Sequence, residues 1–198
     1  GVADATNQAY SVYYVEDTDV AAGQTWSVTK VGTVNSASEL SAFALDGVAT
    51  ITGTAAADVL VGTDAVDTIN GLALNDTITG GAGNDNLTGG TGADTFVVSG
   101  VTALTNGSDT IADFALVDDT IQFSLAAVNA ATAGGLVAGA VAASNFVSGA
   151  AALDANDYFV YNAGALSFDA DGSGVGGAVL LITLTGAPAL TVADIVLV

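Results

Sequence analysis

Aspartate recurs every nine residues between Gly53 and Val97, at Asp58, Asp67, Asp76, Asp85 and Asp94. Each follows a glycine by five positions (Gly53, Gly62, Gly71, Gly80, Gly89) and precedes a large apolar residue by two (Leu60, Ile69, Ile78, Leu87, Phe96). Glycine tolerates positive φ, so a Gly-rich run can turn sharply and aim several carbonyl oxygens at one point. The aspartate adds a carboxylate, and carbonyl plus carboxylate oxygens are the donor set of a hard cation such as Ca²⁺. The last two units, Gly80–Thr88 and Gly89–Val97, read Gly-Gly-x-Gly-x-Asp-x-apolar-x in full. The first three lack the second and third glycines, and Asp64 is an extra carboxylate there. A metal-free alternative also stands, because Asp and Gly are ordinary turn formers.

These residues need a scaffold that repeats with them. After each Asp, an x-apolar-x run is a strand of about three residues whose middle side chain points inward. A fixed short period implies stacked units that bury their apolar residues only against neighbours. With two nonapeptides to a coil, every second unit lies on the same edge. Asp58, Asp76 and Asp94 would stack on one edge, and Asp67 with Asp85 on the other, at a strand spacing of roughly 4.8 Å. Carboxylates that close repel unless protonated or bridged by a cation.

Composition narrows the function. The 198 residues are 51% hydrophobic, with 21 acidic residues against one basic residue, Lys30, and a net charge of −20. That charge repels nucleic acid and anionic membranes and favours cations. Cys and His are absent, so no Ser-His-Asp or Cys-His arrangement and no His/Cys zinc site can form. Paired carboxylates could still hydrolyse a glycoside, but periodic turns account for the aspartates and no enzymatic activity is expected. Without disulfides, bound metal is the available staple for an extracellular chain. The chain starts at Gly1, as expected of a processed product or a fragment. The uncharged stretch 120–153 has too many Asn, Ser, Thr and Gly residues to span a membrane.

Three segments are expected: an N-terminal β segment (1–52), the five nonapeptides (53–97) and a C-terminal β cap (98–198). In the first, Tyr10–Val15 and Thr25–Val31 read as strands around a turn at Glu16–Asp19, and Thr50–Thr52 is in register to be a first rung. In the last, strands are expected within Asp109–Phe114, Asp119–Phe123, Asp157–Tyr161, Ala165–Phe168 and Ala178–Leu184, with one short helix within 126–143. Tyr14–Leu45 and Tyr161–Val198 read as a faint duplication. Asp169–Gly174 imitates the start of an EF-hand loop, but its twelfth position is Leu180, so a solvated hairpin turn is expected.

Residues 53–198 resemble the C-terminal region of RTX proteins exported by type I secretion. The nonapeptides, the Asp109-Thr-Ile-Ala-Asp-Phe114 and Asp118-Asp-Thr-Ile-Gln-Phe123 segments, Asn156–Tyr161 and the Asp169 hairpin carry the likeness. It implies an all-β fold: a parallel β-roll, a calcium nonapeptide solenoid, flanked by short-strand β regions. It also implies several Ca²⁺ ions. The first would take Thr54, Ala56 and Asp58 with Gly71, Ala73 and Asp76. The second would take Thr63, Ala65 and Asp67 with Gly80, Ala82 and Asp85, and the third Leu72, Leu74 and Asp76 with Gly89, Thr91 and Asp94. Gly81, Gly83 and Asp85, and likewise Gly90, Gly92 and Asp94, would face downstream capping ligands Asp109, Asp113 and Asp119. The resemblance further implies an export signal in Ile195–Val198, the type I secretion machinery as a partner, and an extracellular or cell-surface location on a bacterium. The chain is similar to calcium-dependent surface-layer proteins, which implies self-association into a layer or fibre. The tail of a secreted hydrolase or an adhesin is the other reading.

Overall fold

A computed structural model describes residues 26–27, 48–102, 104–132, 135–172 and 177–198. The expected strand at Tyr10–Val15, the turn at Glu16–Asp19, Lys30 and all but Trp26–Ser27 of the upstream half of the duplication lie outside these residues. So does most of Thr25–Val31, of which β1 (Trp26–Ser27) is described.

Nine-residue periodicity becomes a two-sided parallel coil. On one side lie β2 (Ala49–Thr52), β4 (Thr68–Ala73), β6 (Asn86–Thr91) and β8 (Asp109–Ile111). On the other lie β3 (Val59–Val61), β5 (Thr77–Thr79), β7 (Thr95–Val98) and β9 (Thr120–Phe123). Within each side, neighbours pair in parallel with eighth-position residues in register: Ile51↔Ile69, Ile69↔Leu87 and Leu87↔Ile111, then Leu60↔Ile78, Ile78↔Phe96 and Phe96↔Ile121. Leu60, Ile69, Ile78, Leu87 and Phe96 are all buried, as alternation requires, and Thr50–Thr52 is a rung. One expectation is amended. β4 and β6 run six residues each, because pairing continues through the glycine into the next turn, with Leu72↔Gly90 and Ala73↔Thr91.

The sheets do not stop at residue 97. β8 and β9 are two further rungs, displaced in sequence so that Asp109 and Asp119 follow Asp85 and Asp94 by 24 and 25 residues where the nonapeptides keep 18. Beyond them α1 (Leu125–Ala131) starts at Ser124, whose side chain accepts from Ala127 N–H at 3.3 Å. β10 (Gly139–Ala140), β11 (Phe146–Ser148), β12 (Phe159–Asn162), β13 (Ala165–Phe168), β14 (Val179–Leu184) and β15 (Ile195–Leu197) complete the order. β14 adds in parallel to β8 and leads through antiparallel β13 and β12 to β11, while β15 adds in parallel to β9 and is flanked by β10. The aliphatic column passes into an aromatic cluster, Phe123–Phe159–Phe168, with centroids 5.1 and 5.5 Å apart. The Asp169 segment does join two strands of a hairpin, but it is not simply solvated: Asp169 is buried and accepts from Asp171 N–H at 3.3 Å, with Asp171 exposed. No helix among the described residues is long and apolar enough to cross a membrane.

Candidate metal centre

Each position-six aspartate has two oxygens with different jobs. Oδ1 ties successive coils together by accepting the backbone N–H of the position-six residue in the coil before. On one edge Asp58 N–H donates to Asp76 Oδ1 (2.7 Å), Asp76 N–H to Asp94 Oδ1 (2.8 Å) and Asp94 N–H to Asp119 Oδ1 (2.9 Å). On the other, Ala49 N–H donates to Asp67 Oδ1 (2.6 Å), Asp67 N–H to Asp85 Oδ1 (2.8 Å) and Asp85 N–H to Asp109 Oδ1 (3.1 Å). The two stacks of carboxylates expected from the period are therefore present, and Asp109 and Asp119 continue them.

Oδ2 divides the turns into two classes. In the first two units it is saturated from within the turn: Thr54 donates through N–H (2.5 Å) and Oγ1 (2.8 Å) to Asp58, and Thr63 through N–H (2.5 Å) and Oγ1 (3.0 Å) to Asp67. The two downstream turns are closed as well, with Asn106 Nδ2 on Asp109 Oδ2 (3.1 Å) and Ala115 N–H on Asp119 Oδ2 (2.8 Å). In units three, four and five, Asp76, Asp85 and Asp94 Oδ2 are buried and have no hydrogen-bond partner. A buried acceptor left without a donor costs about 1–3 kcal/mol, and more when charged.

Backbone conformation tracks that division. The second and fourth positions of the three open turns have positive φ: 82° and 67° at Leu72 and Leu74, 108° and 117° at Gly81 and Gly83, 101° and 142° at Gly90 and Gly92. Thr54, Ala56, Thr63 and Ala65 are not in that region. Leu72 and Leu74 take up the glycine conformation without being glycine, at a cost of roughly 1–2 kcal/mol each. Their position-two amide also faces elsewhere. Leu72 N–H donates to Asn70 Oδ1 (3.1 Å), and Gly90 N–H to Asp113 Oδ2 (2.8 Å). Asp113 is thus exposed and clamps the Gly89–Gly90 amides, apart from the two carboxylate stacks.

The space beside each open carboxylate is a cradle. A Cβ on Gly71 would collide with Asp76 Oδ2 and, at 2.6 Å, with the Gly89 carbonyl oxygen. A Cβ on Gly89 would likewise strike Asp94 Oδ2, and one on Gly80 Asp85 Oδ2. Carbonyl and carboxylate oxygens converging without a donor between them suit Ca²⁺. Burial pushes the Asp76 carboxyl up, Asp94 and Asp58 add to it, and the Asp58 N–H acts against it. Burial also raises Asp85 to about 6 and Asp109 to about 7, each with its like-charged neighbour (Asp67 and Asp85 respectively) adding. Asp119 rises chiefly by burial, opposed by the Ala115 and Asp94 amides.

Three participants were not apparent from the residues alone. Ala49 stands where an aspartate would and begins one ladder through its amide. Asn106 closes the Asp109 turn. Gly107, at φ 73°, lies so close to the Gly83 carbonyl that no Cβ fits. The signal that finds them is register with the core column, of Ile51 for Ala49 and of Ile111 for Asn106 and Gly107.

Residues 43–77 and 61–96 match the family model of the RTX calcium-binding nonapeptide repeat, in four copies. No curated protein matches the chain. RTX nonapeptides bind Ca²⁺, and their family is generally non-catalytic and typical of secreted, type I-exported proteins.

Proposed function

We propose, from the premise that residues 43–77 and 61–96 carry RTX calcium-binding nonapeptide repeats, that this module winds into its roll on Ca²⁺ outside the cell and serves an extracellular structural assembly. The observation that carries the calcium-dependent part is the trio of buried, partnerless Oδ2 atoms on Asp76, Asp85 and Asp94. The ligand sets would be Leu72, Leu74 and Asp76 with Gly89, Thr91 and Asp94; Gly81, Gly83 and Asp85; and Gly90, Gly92 and Asp94, the last two capped by Asp109 and Asp119, whose Oδ2 atoms each take one donor where the threonine turns supply two. Bound there, Ca²⁺ supplies the positive charge that stacked carboxylates need. The chain's part is to present oxygens at fixed intervals and to exclude water from them. Extracellular calcium modules bind at about 10⁻⁴ to 10⁻³ M, so they fill outside a cell, and binding energy then appears as folding energy.

Assembly into a surface layer or fibre is supported by a cysteine-free, histidine-free composition with net charge −20 that divalent ions can bridge. The exposed Val59 and Val61 on β3, an end strand of its sheet among the described residues, give an apolar edge for contact. The absence of His and Cys and the single basic residue support a non-catalytic role. A tail of a secreted hydrolase or adhesin would share the calcium chemistry without the assembly. Circular dichroism with and without chelator tests the first part: strand signal unchanged by chelator refutes it. Electron microscopy in calcium tests the second, since sheets or fibres support assembly and stable monomers refute it.

A further inference from the structure

Resting on the calcium reading of the open turns, we propose that Thr54 and Thr63 close their turns against the ion, so that the first two nonapeptides are metal-free coils and the five nonapeptides together hold three calcium ions. The contrast between turns of one repeat carries this. All five have the same Gly at position one and Asp at position six. Only the three with positive φ at positions two and four leave Oδ2 without a donor.

In the closed turns the threonine supplies an amide at 2.5 Å and a hydroxyl at 2.8 or 3.0 Å to one carboxylate oxygen. Two donors meet that oxygen's lone pairs and stand where a cation would, with the same sign of charge. The hydroxyl oxygen then accepts the position-four amide: Ala56 N–H on Thr54 Oγ1 (3.2 Å) and Ala65 N–H on Thr63 Oγ1 (3.1 Å). One side chain thereby fixes both backbone positions whose reversal would open the turn. In two of the three open turns the position-two amide is drawn away, from Leu72 to Asn70 and from Gly90 to Asp113. Opening a threonine turn would also place a β-branched residue at positive φ, a conformation such residues avoid. Leu72 and Leu74, unbranched at Cβ, accept it. The second position therefore sets whether a repeat closes on itself or takes an ion.

Counting ions on the full chain by native mass spectrometry during CaCl₂ titration tests this. The expected counts are three for the natural sequence and four for Thr63→Gly with Ala65→Gly, which restores Gly-Gly-x-Gly-x-Asp ahead of Asp67. A natural count that falls when Asp58 or Asp67 is replaced by Asn overturns the threonine closure and leaves the calcium reading intact. One or two ions overturns the assignment of one ion to each open turn, and none overturns the calcium reading itself. Three ions on a folded double variant removes Thr63 and Ala65 as the determinant. Comparing Asp58→Asn and Asp67→Asn with the natural sequence, whose counts should be equal, decides the matter even if the double variant does not fold.

Discussion

Position four of the repeat offers a sign test of the two kinds of turn. Leu74 sits at φ 67° in an open turn, and Ala65 at ordinary φ in a closed one. Leu74→Ala and Leu74→Gly both remove the half-exposed isobutyl group, so comparing them isolates the backbone. Positive φ costs a non-glycine residue roughly 1–2 kcal/mol, while glycine loses about 0.5–1 kcal/mol to its freer unfolded chain. Leu74→Gly should therefore be more stable than Leu74→Ala by about 0.5–1 kcal/mol, as positions that demand positive φ reward glycine. At position 65 the order inverts: Ala65→Gly should lose about 0.5–1 kcal/mol. At about 2–4 °C per kcal/mol for a chain of this size, the opposite shifts are measurable by thermal melting in saturating calcium. If Leu74→Ala equals or exceeds Leu74→Gly, or Ala65→Gly gains stability, the division of turns by backbone conformation is wrong.

Ile78 is fully buried between Leu60 and Phe96, so Ile78→Ala should cost about 2–5 kcal/mol in a denaturant titration with calcium. Gly107→Ala should destabilise the roll, because a Cβ there overlaps the Gly83 carbonyl and φ is 73°; an unchanged melting temperature would contradict that packing. In chelator, acid should substitute for the ion. The carboxyls of Asp85 and Asp109 are raised from 3.8 to about 6 and about 7, so the folded state holds protons more tightly than the unfolded one. That stabilisation is complete below 3.8 and is lost as pH rises through about 6 to 7. The chelated chain should melt higher at pH 5 than at pH 8, and Asp85→Asn with Asp109→Asn should shrink the difference.

What could be read from residues was whatever repeats at fixed spacing. The nine-residue period identified the core column and the two carboxylate stacks because stacked contacts recur at one sequence offset. That legibility ended where the offset changed: ladder partners lie 18 residues apart within the nonapeptides, but 24 for Asp85 and Asp109 and 25 for Asp94 and Asp119. The closure of turns one and two was hidden for another reason. Thr54 and Leu72 both merely depart from glycine, and only the direction of the following backbone separates a locked turn from an open one. The hairpin at Asp169 was legible, but its burial was not, because a polar turn signal carries no information about what packs around it. β10, β11 and β15 have pairings set by tertiary contact and no local periodicity.

β15 completes one sheet from the far side of the chain. Ile195 and Leu197 are buried, Val198 N–H donates to the Phe123 carbonyl at 3.0 Å, and Leu125 N–H donates back to the Val198 carbonyl at 2.7 Å. Peeling Ile195–Leu197 away would bare two core side chains at once and leave both β9 and β10 with an unpaired edge.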